Sequence, residues 1–193
     1  MLRISGVSVL SAYFQKMKGV PLDPPVVMSP GGDSVEVLWS WGGSLAGILV
    51  LSLMDSCLCE GTDRMLIIAS FGASAVMVFG AFESSFSQPR NLIGGHLISA
   101  FVGVAAHQMF GAQPWLAGAV AVATATALMQ LTRTIHPPGG STALIAVIGG
   151  EKIHALGFYY LITPVASGVC IILVAGLIIN NLSGRRRYPI SWK

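Results

Sequence analysis

The residues best suited to bind a ligand in this sequence follow one another in one short segment. His136 is followed by two prolines, two glycines and Ser141. Because proline and glycine are unfavourable inside a helix, we predict extended backbone at His136–Gly140 and a helix that begins near Ser141. The first N–H groups of a helix have no partner within it and carry a partial positive charge, so they attract small anions. The segment therefore predicts an anion site where Gly139 and Gly140 let the ligand approach the main chain; a break needed only for helix packing is the alternative. Its predicted binding residues are His136, Pro137, Pro138, Gly139, Gly140, Ser141 and Thr142.

A second stretch is similar in residue types. Gly72–Gly80 resembles Gly140–Gly149, since each begins with small and hydroxyl residues and continues as an apolar run. The chain then reads as two units of three segments, the second entering the membrane from the opposite side. Inverted repeats with paired broken helices mark the midplane site of transporters, although small residues are common in any membrane helix and chance similarity is the alternative. We predict a turn at Gly72, Ala73 and Ser74 that faces the first site.

The remaining polar candidates are histidines and arginines near the apolar blocks. His96 lies about one turn into an apolar stretch, and an ionisable residue inside a membrane indicates function by default. Arg90 and Arg133 are expected at the inner mouth, where they would gather anions or anchor lipid headgroups. His107 shares a helix face with His96 but lies ~16 Å further along, so the two cannot share one metal. We expect His107 and His154 at the membrane interfaces, in structural roles.

Neither a metal site nor a catalytic set is predicted. Cys57 and Cys59 have no His or Cys partner nearby, which makes a poor metal site. The carboxylates are expected at loop edges, away from any Ser–His–Asp arrangement; they are Asp55, Glu60, Asp63, Glu83 and Glu151. We therefore expect no enzymatic activity, no metal and no cofactor. The net charge of +3 is too small to indicate nucleic-acid binding.

The composition requires a membrane to position these residues. The 193 residues are 53% hydrophobic and only 10% charged, whereas soluble domains carry about 25% charged residues. A membrane span needs about 20 apolar residues, and the charge-free blocks approach or double that length. These blocks are Val37–Met54, Met65–Phe82, Asn91–Thr132, Thr134–Gly150 and His154–Gly184. The sequence predicts an all-α polytopic membrane protein.

About six membrane segments follow from these blocks. Five are predicted at Val35–Ser56, Met65–Phe82, Asn91–Phe110, Trp115–Thr132 and Leu156–Leu182. The remaining one has a good helical stretch only at Ser141–Ile148, roughly 12 Å long, so it is a half-helix or a re-entrant loop. We divide the chain into an N-terminal arm (1–34), a transmembrane domain (35–184) and a basic C-terminal tail (185–193).

Loop charges predict the orientation. With six crossings and both tails inside, the inner face gains Lys16, Lys18, Arg90, Arg133 and Arg185–Arg187. The outer face gains only Arg64 and Lys152, which is the positive-inside pattern. Five crossings would put the basic tails on opposite sides and fit this pattern less well. We expect a bacterial inner membrane with both termini cytoplasmic, and small-residue helix faces that permit a homo-oligomer.

The motifs together resemble the HPP family of integral membrane proteins. The run Arg133–Ser141 carries the resemblance, with support from Phe71–Ser74, Gln88–Asn91 and Gly94–His96. It covers about residues 35–182. The resemblance implies a membrane domain usually described as four transmembrane helices, and transport of nitrite, in which plastid and cyanobacterial members are implicated. Some bacterial members carry appended regulatory domains.

Two other functions remain open. One is transport of a different small solute, and the other is a non-transporting scaffold or sensor subunit. Anion transport requires a polar cavity at Ser141 and Ser74 that opens to each side in turn. A scaffold would have the same turns packed dry.

Overall fold

The chain folds as a helical bundle in a computed structural model that describes residues 9–18, 34–58 and 68–192. These residues contain helices and turns but no β-strand. The helices are α1 (Val9–Met17), α2 (Ser34–Leu58), α3 (Ala69–Ala75), α4 (Pro89–Phe110), α5 (Pro114–Leu131), α6 (Pro137–Ile148), α7 (Glu151–Leu156) and α8 (Ser167–Leu182). A π-helical turn (Val76–Gly80) extends α3, and a 3₁₀ turn (Ser85–Ser87) precedes α4. Residues 1–8 and 19–33 of the predicted N-terminal arm lie outside the described residues, as do Cys59, Glu60, Asp63, Arg64 and the Cys57 side chain.

Four described helical stretches are long and apolar enough to cross a membrane. They are Ser34–Ser56, Pro89–Phe110, Pro114–Leu131 and Glu151–Leu182. Two shorter apolar helices, Ala69–Gly80 and Pro137–Ile148, have 12 residues each. At 1.5 Å per residue each is about 18 Å long, which is short of the ~30 Å hydrocarbon core. The predicted all-helical membrane fold is confirmed.

Two predicted segments differ in detail from the structure. Within the described residues, the second begins as a helix at Ala69, after Ile68 with extended backbone (φ −103°, ψ 147°). The last begins at Glu151, changes to a 3₁₀ turn at Gly157 (φ 51°), and continues through a π turn in which Thr163 is non-helical. Apolar composition predicts that a segment lies in the membrane, but not where its helical hydrogen bonds start or are interrupted.

The prediction that the half-helix begins near Ser141 was wrong. α6 begins at Pro137, with both prolines in its first turn and His136 as the extended N-cap (φ −138°, ψ 104°). Proline is tolerated there because the first N–H groups of a helix need no intrahelical acceptor, and its fixed φ suits a helix. The helix therefore has 12 residues, where the sequence predicted eight.

The end of α5 turns the chain sharply towards α6. Arg133 adopts a left-handed conformation (φ 56°), and the Thr134 N–H donates to Met129 O at 2.8 Å. This i to i−5 bond closes the helix end, as a residue in the left-handed region commonly does. Residues 134–136 then run without helical structure to the N-cap His136.

The two ends of the described chain meet at one end of the bundle, which we call the tail end. Lys16 Nζ donates to Ser183 O at 2.9 Å, and the Trp192 indole N–H donates to Met17 O at 2.9 Å. Helix α4 begins at this end and finishes, about 33 Å away along its axis, at the far end.

The segment that follows α8 is fastened to the tail end. Arg186 is 3% exposed, and its Nε donates to the Glu36 carboxylate on α2 at 2.8 Å. The buried Tyr188 hydroxyl donates to Ser87 O at 2.8 Å. Gln88 Oε1 accepts the N–H groups of the last described turns, from Ile190 at 2.8 Å and Ser191 at 3.1 Å. The basic segment therefore packs on α2 and on the loop before α4.

Candidate functional site

Four polar side chains from three helices form one buried cluster. Ser74 of α3, His96 of α4, the N-cap His136 and Thr142 of α6 are each fully buried, and we call them the buried polar cluster. Ser74 Oγ lies 2.7 Å from His96 Nε2 and 3.0 Å from His136 Nε2. His96 Nδ1 lies 2.7 Å from Thr142 Oγ1. The imidazole centroids are 4.9 Å apart, so the cluster is one connected network at the start of α6.

Glycines bring α4 and α6 close enough for these contacts. A Cβ added at Gly95 would lie 2.5 Å from His136 Cβ, and one at Gly139 would lie 2.9 Å from Gly95 O. The predicted role of Gly139 in ligand approach was therefore wrong, because it is buried in this helix contact. Gly140 is half-buried, and a Cβ there would meet only Val122 Cγ1 at 3.9 Å.

Side chains at the start of α4 bond the non-helical backbone between α5 and α6. Arg90 Nη2 donates to Thr132 O at 2.9 Å, and Asn91 Nδ2 donates to Ile135 O at 2.7 Å. Unpaired carbonyls in hydrocarbon cost several kcal/mol each, so these bonds make the break tolerable. Arg90 thus supports the backbone, and Arg133 is exposed at the same turn. The hydrogen bonds of the buried polar cluster described above are made with residues other than these two arginines.

The first three positions of α6 offer no free N–H group to a ligand. Pro137 and Pro138 have no N–H, and the Gly139 N–H donates to His136 O at 2.8 Å. The expectation of a second turn at Gly72–Ser74 was also wrong, since these residues lie inside α3. Helical backbone there leaves the Ser74 side chain, and not free N–H groups, as the polar contribution of this segment.

The remaining predicted site residues face the opposite way from the cluster. Ser141, Gly72 and Ala73 are exposed. An open groove of about 400 Å³ separates α3 from α6 on this face. It is lined by Ala73, Val76, Met77, Pro137, Pro138 and Ser141. The structure therefore divides the predicted site into a buried polar cluster and an outward, largely apolar groove. Along the chain, Pro137 and Pro138 follow His136 of the cluster and precede Ser141 of the groove.

A second histidine pair lies towards the far end. His107 of α4 and His154 of α7 stack with centroids 3.7 Å apart and planes at 17°. His154 Nε2 lies 2.9 Å from Val147 O, while the buried His107 Nδ1 has no hydrogen-bond partner. The two residues are 47 positions apart, and no local pattern in the sequence indicates their contact.

Sequence reasoning missed further partners of the cluster. His136 Nδ1 lies 2.8 Å from Phe86 O, and the Tyr160 hydroxyl donates to Thr142 O at 3.1 Å.

Asp55 was expected at a loop edge, but it lies within α2 and is fully buried. Across residues 9–18, 34–58 and 68–192, no group of three or more His, Cys, Asp or Glu is placed to hold a metal ion.

The apolar helices, the two half-length helices and the polar residues buried between them define a polytopic integral membrane protein. The family model described as "HPP, transmembrane region" matches residues 29–189, and the chain belongs to this family. A transmembrane protein of Dictyostelium discoideum is 43% identical over 183 residues, which are 93% of this chain and 57% of the relative. Another from the same organism is 41% identical over 185 residues, covering 93% of this chain and 63% of the relative.

This chain thus spans about three fifths of the length of these curated relatives. Both come from Dictyostelium, so the bacterial inner membrane rests on the sequence-based expectation alone. No solved structure matches the chain.

Proposed function

We propose that this protein transports a small inorganic anion, with nitrite as the first candidate, through a path that passes the buried polar cluster. The observation that carries the proposal is the burial of Ser74, His96, His136 and Thr142 between two half-length helices. Polar groups in hydrocarbon are costly and typically mark substrate or proton pathways.

The groove supplies an approach to the cluster. Its volume of about 400 Å³ exceeds the ~30 Å³ that one water occupies in the liquid, so a small hydrated anion fits. Pro137 and Pro138 line the groove directly after His136, and Ala73 lines it directly before Ser74. A small shift of α6 against α3 would therefore join groove and cluster, and Ser141 would contribute a hydroxyl to the anion.

The described state is closed, because all four cluster side chains are fully buried. The same packing supports the alternative of a non-transporting scaffold or sensor subunit. A transporter requires a second state in which the cluster becomes accessible, whereas a scaffold does not. Accessibility and flux therefore separate the two functions.

The remaining parts of the proposal concern arrangement. We propose six membrane segments in two inverted units of three, with the tail end cytoplasmic as the positive-inside pattern favours. The meeting of α1 with the segment after α8 supports an even number of crossings between them. No enzymatic role is proposed, and a homo-oligomer would use exposed small-residue faces.

The test is a flux assay on the full chain in liposomes. We expect nitrite uptake above that of empty liposomes, with nitrate, formate and chloride tested in parallel. His136→Gln is expected to abolish most of the uptake and Ser141→Ala to reduce it, while His107→Gln on the same bundle retains it. Absence of flux for all four anions would contradict anion transport and favour the scaffold.

A further inference from the structure

The Ser74 hydroxyl has more hydrogen-bond partners than it has protons. Its Oγ lies 2.7 Å from His96 Nε2, 3.0 Å from His136 Nε2 and 3.0 Å from Ser70 O. A hydroxyl donates one hydrogen bond and accepts up to two. Ser70 O only accepts, whereas each ring nitrogen donates or accepts according to its proton. The three contacts are therefore satisfied differently in different protonation states.

In the neutral state the network has one consistent direction. Phe86 O only accepts, so His136 Nδ1 carries a proton and His136 Nε2 accepts from Ser74. His96 then donates from Nε2 to Ser74, and its Nδ1 accepts from the Thr142 hydroxyl at 2.7 Å. Every ring nitrogen has a partner, and Ser70 O is the spare acceptor.

One added proton fits without movement of any heavy atom. If it binds His136 Nε2, that nitrogen donates to Ser74 Oγ, which now accepts from both rings. The Ser74 hydroxyl rotates and donates to Ser70 O at 3.0 Å. A second proton would place two cations at a centroid distance of 4.9 Å in a low-dielectric interior, which is strongly unfavourable. The geometry therefore accommodates one proton and not two.

We propose that the buried polar cluster is a proton-binding site and that its proton crosses the membrane together with the anion. This inference rests on the proposed function. A proton from the aqueous side binds His136 Nε2, one monovalent anion enters beside it, and both leave on the opposite side. No covalent bond to the anion forms, and the net charge moved is zero.

The charges around the cluster support this coupling. Its titratable neighbours are His96 on α4, His136 before α6 and Tyr160 in the turn after α7, while α3 contributes the hydroxyl of Ser74 and the loop before α4 contributes Phe86 O. The arginines predicted nearby do not enter it: Arg90 bonds Thr132 O, and Arg133 is exposed. An anion buried without an opposite charge costs several kcal/mol, and a protonated histidine pair supplies that charge.

The closing experiment measures protons and nitrite together in liposomes that hold a pH-sensitive dye. Nitrite added outside the wild-type vesicles should acidify the lumen by one proton per ion, after subtraction of empty liposomes. Because the net charge moved is zero, clamping the membrane potential with potassium and valinomycin should leave the rate unchanged. Nitrite uptake that carries current and no proton would overturn the coupling and leave anion transport standing. No uptake of any anion would instead remove the proposed function itself.

Variants assign the proton to the cluster. His136→Gln keeps hydrogen-bonding capacity but cannot take up the proton, and should lower uptake driven by an acid-outside gradient by at least about tenfold. His107→Gln is the matched control, since it makes the same change in the same bundle outside the cluster. Ser74→Ala gives a second variant, in which the ratio of protons to nitrite should fall below one. A ratio unchanged from wild type in both folded variants would overturn the assignment.

Discussion

Helix α4 carries two histidines that meet partners in different ways. His96 shares the Ser74 hydroxyl with His136, and the rings are tilted by 55°. His107 stacks face to face on His154 and leaves Nδ1 without a hydrogen bond. One pair is joined by directional hydrogen bonds through a shared hydroxyl, and the other by direct ring contact.

The comparison shows how α6 is held. His136 precedes this helix and His154 follows it, so α4 contacts both ends of α6 through an imidazole pair. At the start of α6 the contact is polar and fully buried. Towards the far end it is a stacked contact that survives without hydrogen bonding. Residue type alone therefore does not distinguish the two histidine pairs; the bonding around each ring does.

The largest expected difference comes from the same substitution at the two positions. His96→Phe removes both ring nitrogens from the cluster and should cost about 3 kcal/mol of unfolding free energy. His107→Phe keeps the stacking and replaces an unpaired nitrogen by carbon, so it should be within about 0.5 kcal/mol of wild type or stabilising. Thermal unfolding in detergent checks both. Equal losses would remove the distinction between the two pairs.

A smaller loss is expected where α4 touches His136. Gly95→Ala would place a methyl group 2.5 Å from His136 Cβ, and such overpacking should cost about 2 kcal/mol. Gly72→Ala is the control, because a Cβ there meets nothing within 4 Å and gains up to about 1 kcal/mol of helix propensity. If Gly95→Ala unfolds at the wild-type temperature, the close contact of α4 with α6 does not position the cluster.

One serine belongs to the cluster and another lines the groove: Ser74 is in the buried polar cluster, and Ser141 lines the groove. Ser74→Ala leaves ring nitrogens without their shared partner and should cost about 1.5 kcal/mol. Ser141→Ala changes an exposed side chain and should stay within about 0.5 kcal/mol, while lowering anion flux. The same unfolding measurements, paired with uptake rates, distinguish a residue that holds the fold from one that meets the anion. A large loss of stability in Ser141→Ala would contradict this division.

The smallest effect is expected at the tail end. Tyr188→Phe removes the hydroxyl that donates to Ser87 O, at a cost of about 1 kcal/mol. Tyr159→Phe, at a side chain that is 56% exposed, should be silent. Hydrogen exchange of the loop before α4 would report the local loosening. Unchanged exchange in Tyr188→Phe would show that this bond does not hold the loop next to Phe86.

The sequence predicted the elements that follow directly from apolar length. Charge-free runs of about 20 residues must span hydrocarbon as helices. Both ends of α2, α4 and α5 lie within two residues of the predicted bounds. The start of α6 was missed because prolines were treated as helix breakers, although the first turn accepts them. The interruptions at Gly157 and Thr163 lie at a glycine and directly before Pro164, which are signals that the predicted span Leu156–Leu182 did not use.

The four residues of the buried polar cluster were named from the sequence, and the Ser74 segment was expected to face the His136 segment, but the hydrogen bonds between the four were not predicted. Ser74, His96, His136 and Thr142 were each singled out, yet Ser74 is 22 residues from His96 and 62 from His136. Such contacts depend on how helices pack, and helical periodicity describes only one helix at a time. The predicted free N–H groups were the wrong chemistry, because proline supplies none. The signal in the sequence for the members of the cluster was the polar residue types within apolar segments.

The fastening of the segment after α8 bears on how this protein is handled in the laboratory. The Tyr188 hydroxyl donates to Ser87 O, and the neighbouring carbonyl, Phe86 O, contacts His136 Nδ1. Gln88 Oε1 accepts the backbone N–H groups of Ile190 and Ser191. An affinity tag or fluorescent reporter joined directly after Trp192 and Lys193 would therefore disturb the loop at Phe86 and Ser87, which positions His136. A long flexible linker, or a tag at the other terminus, avoids testing the attachment in place of the protein.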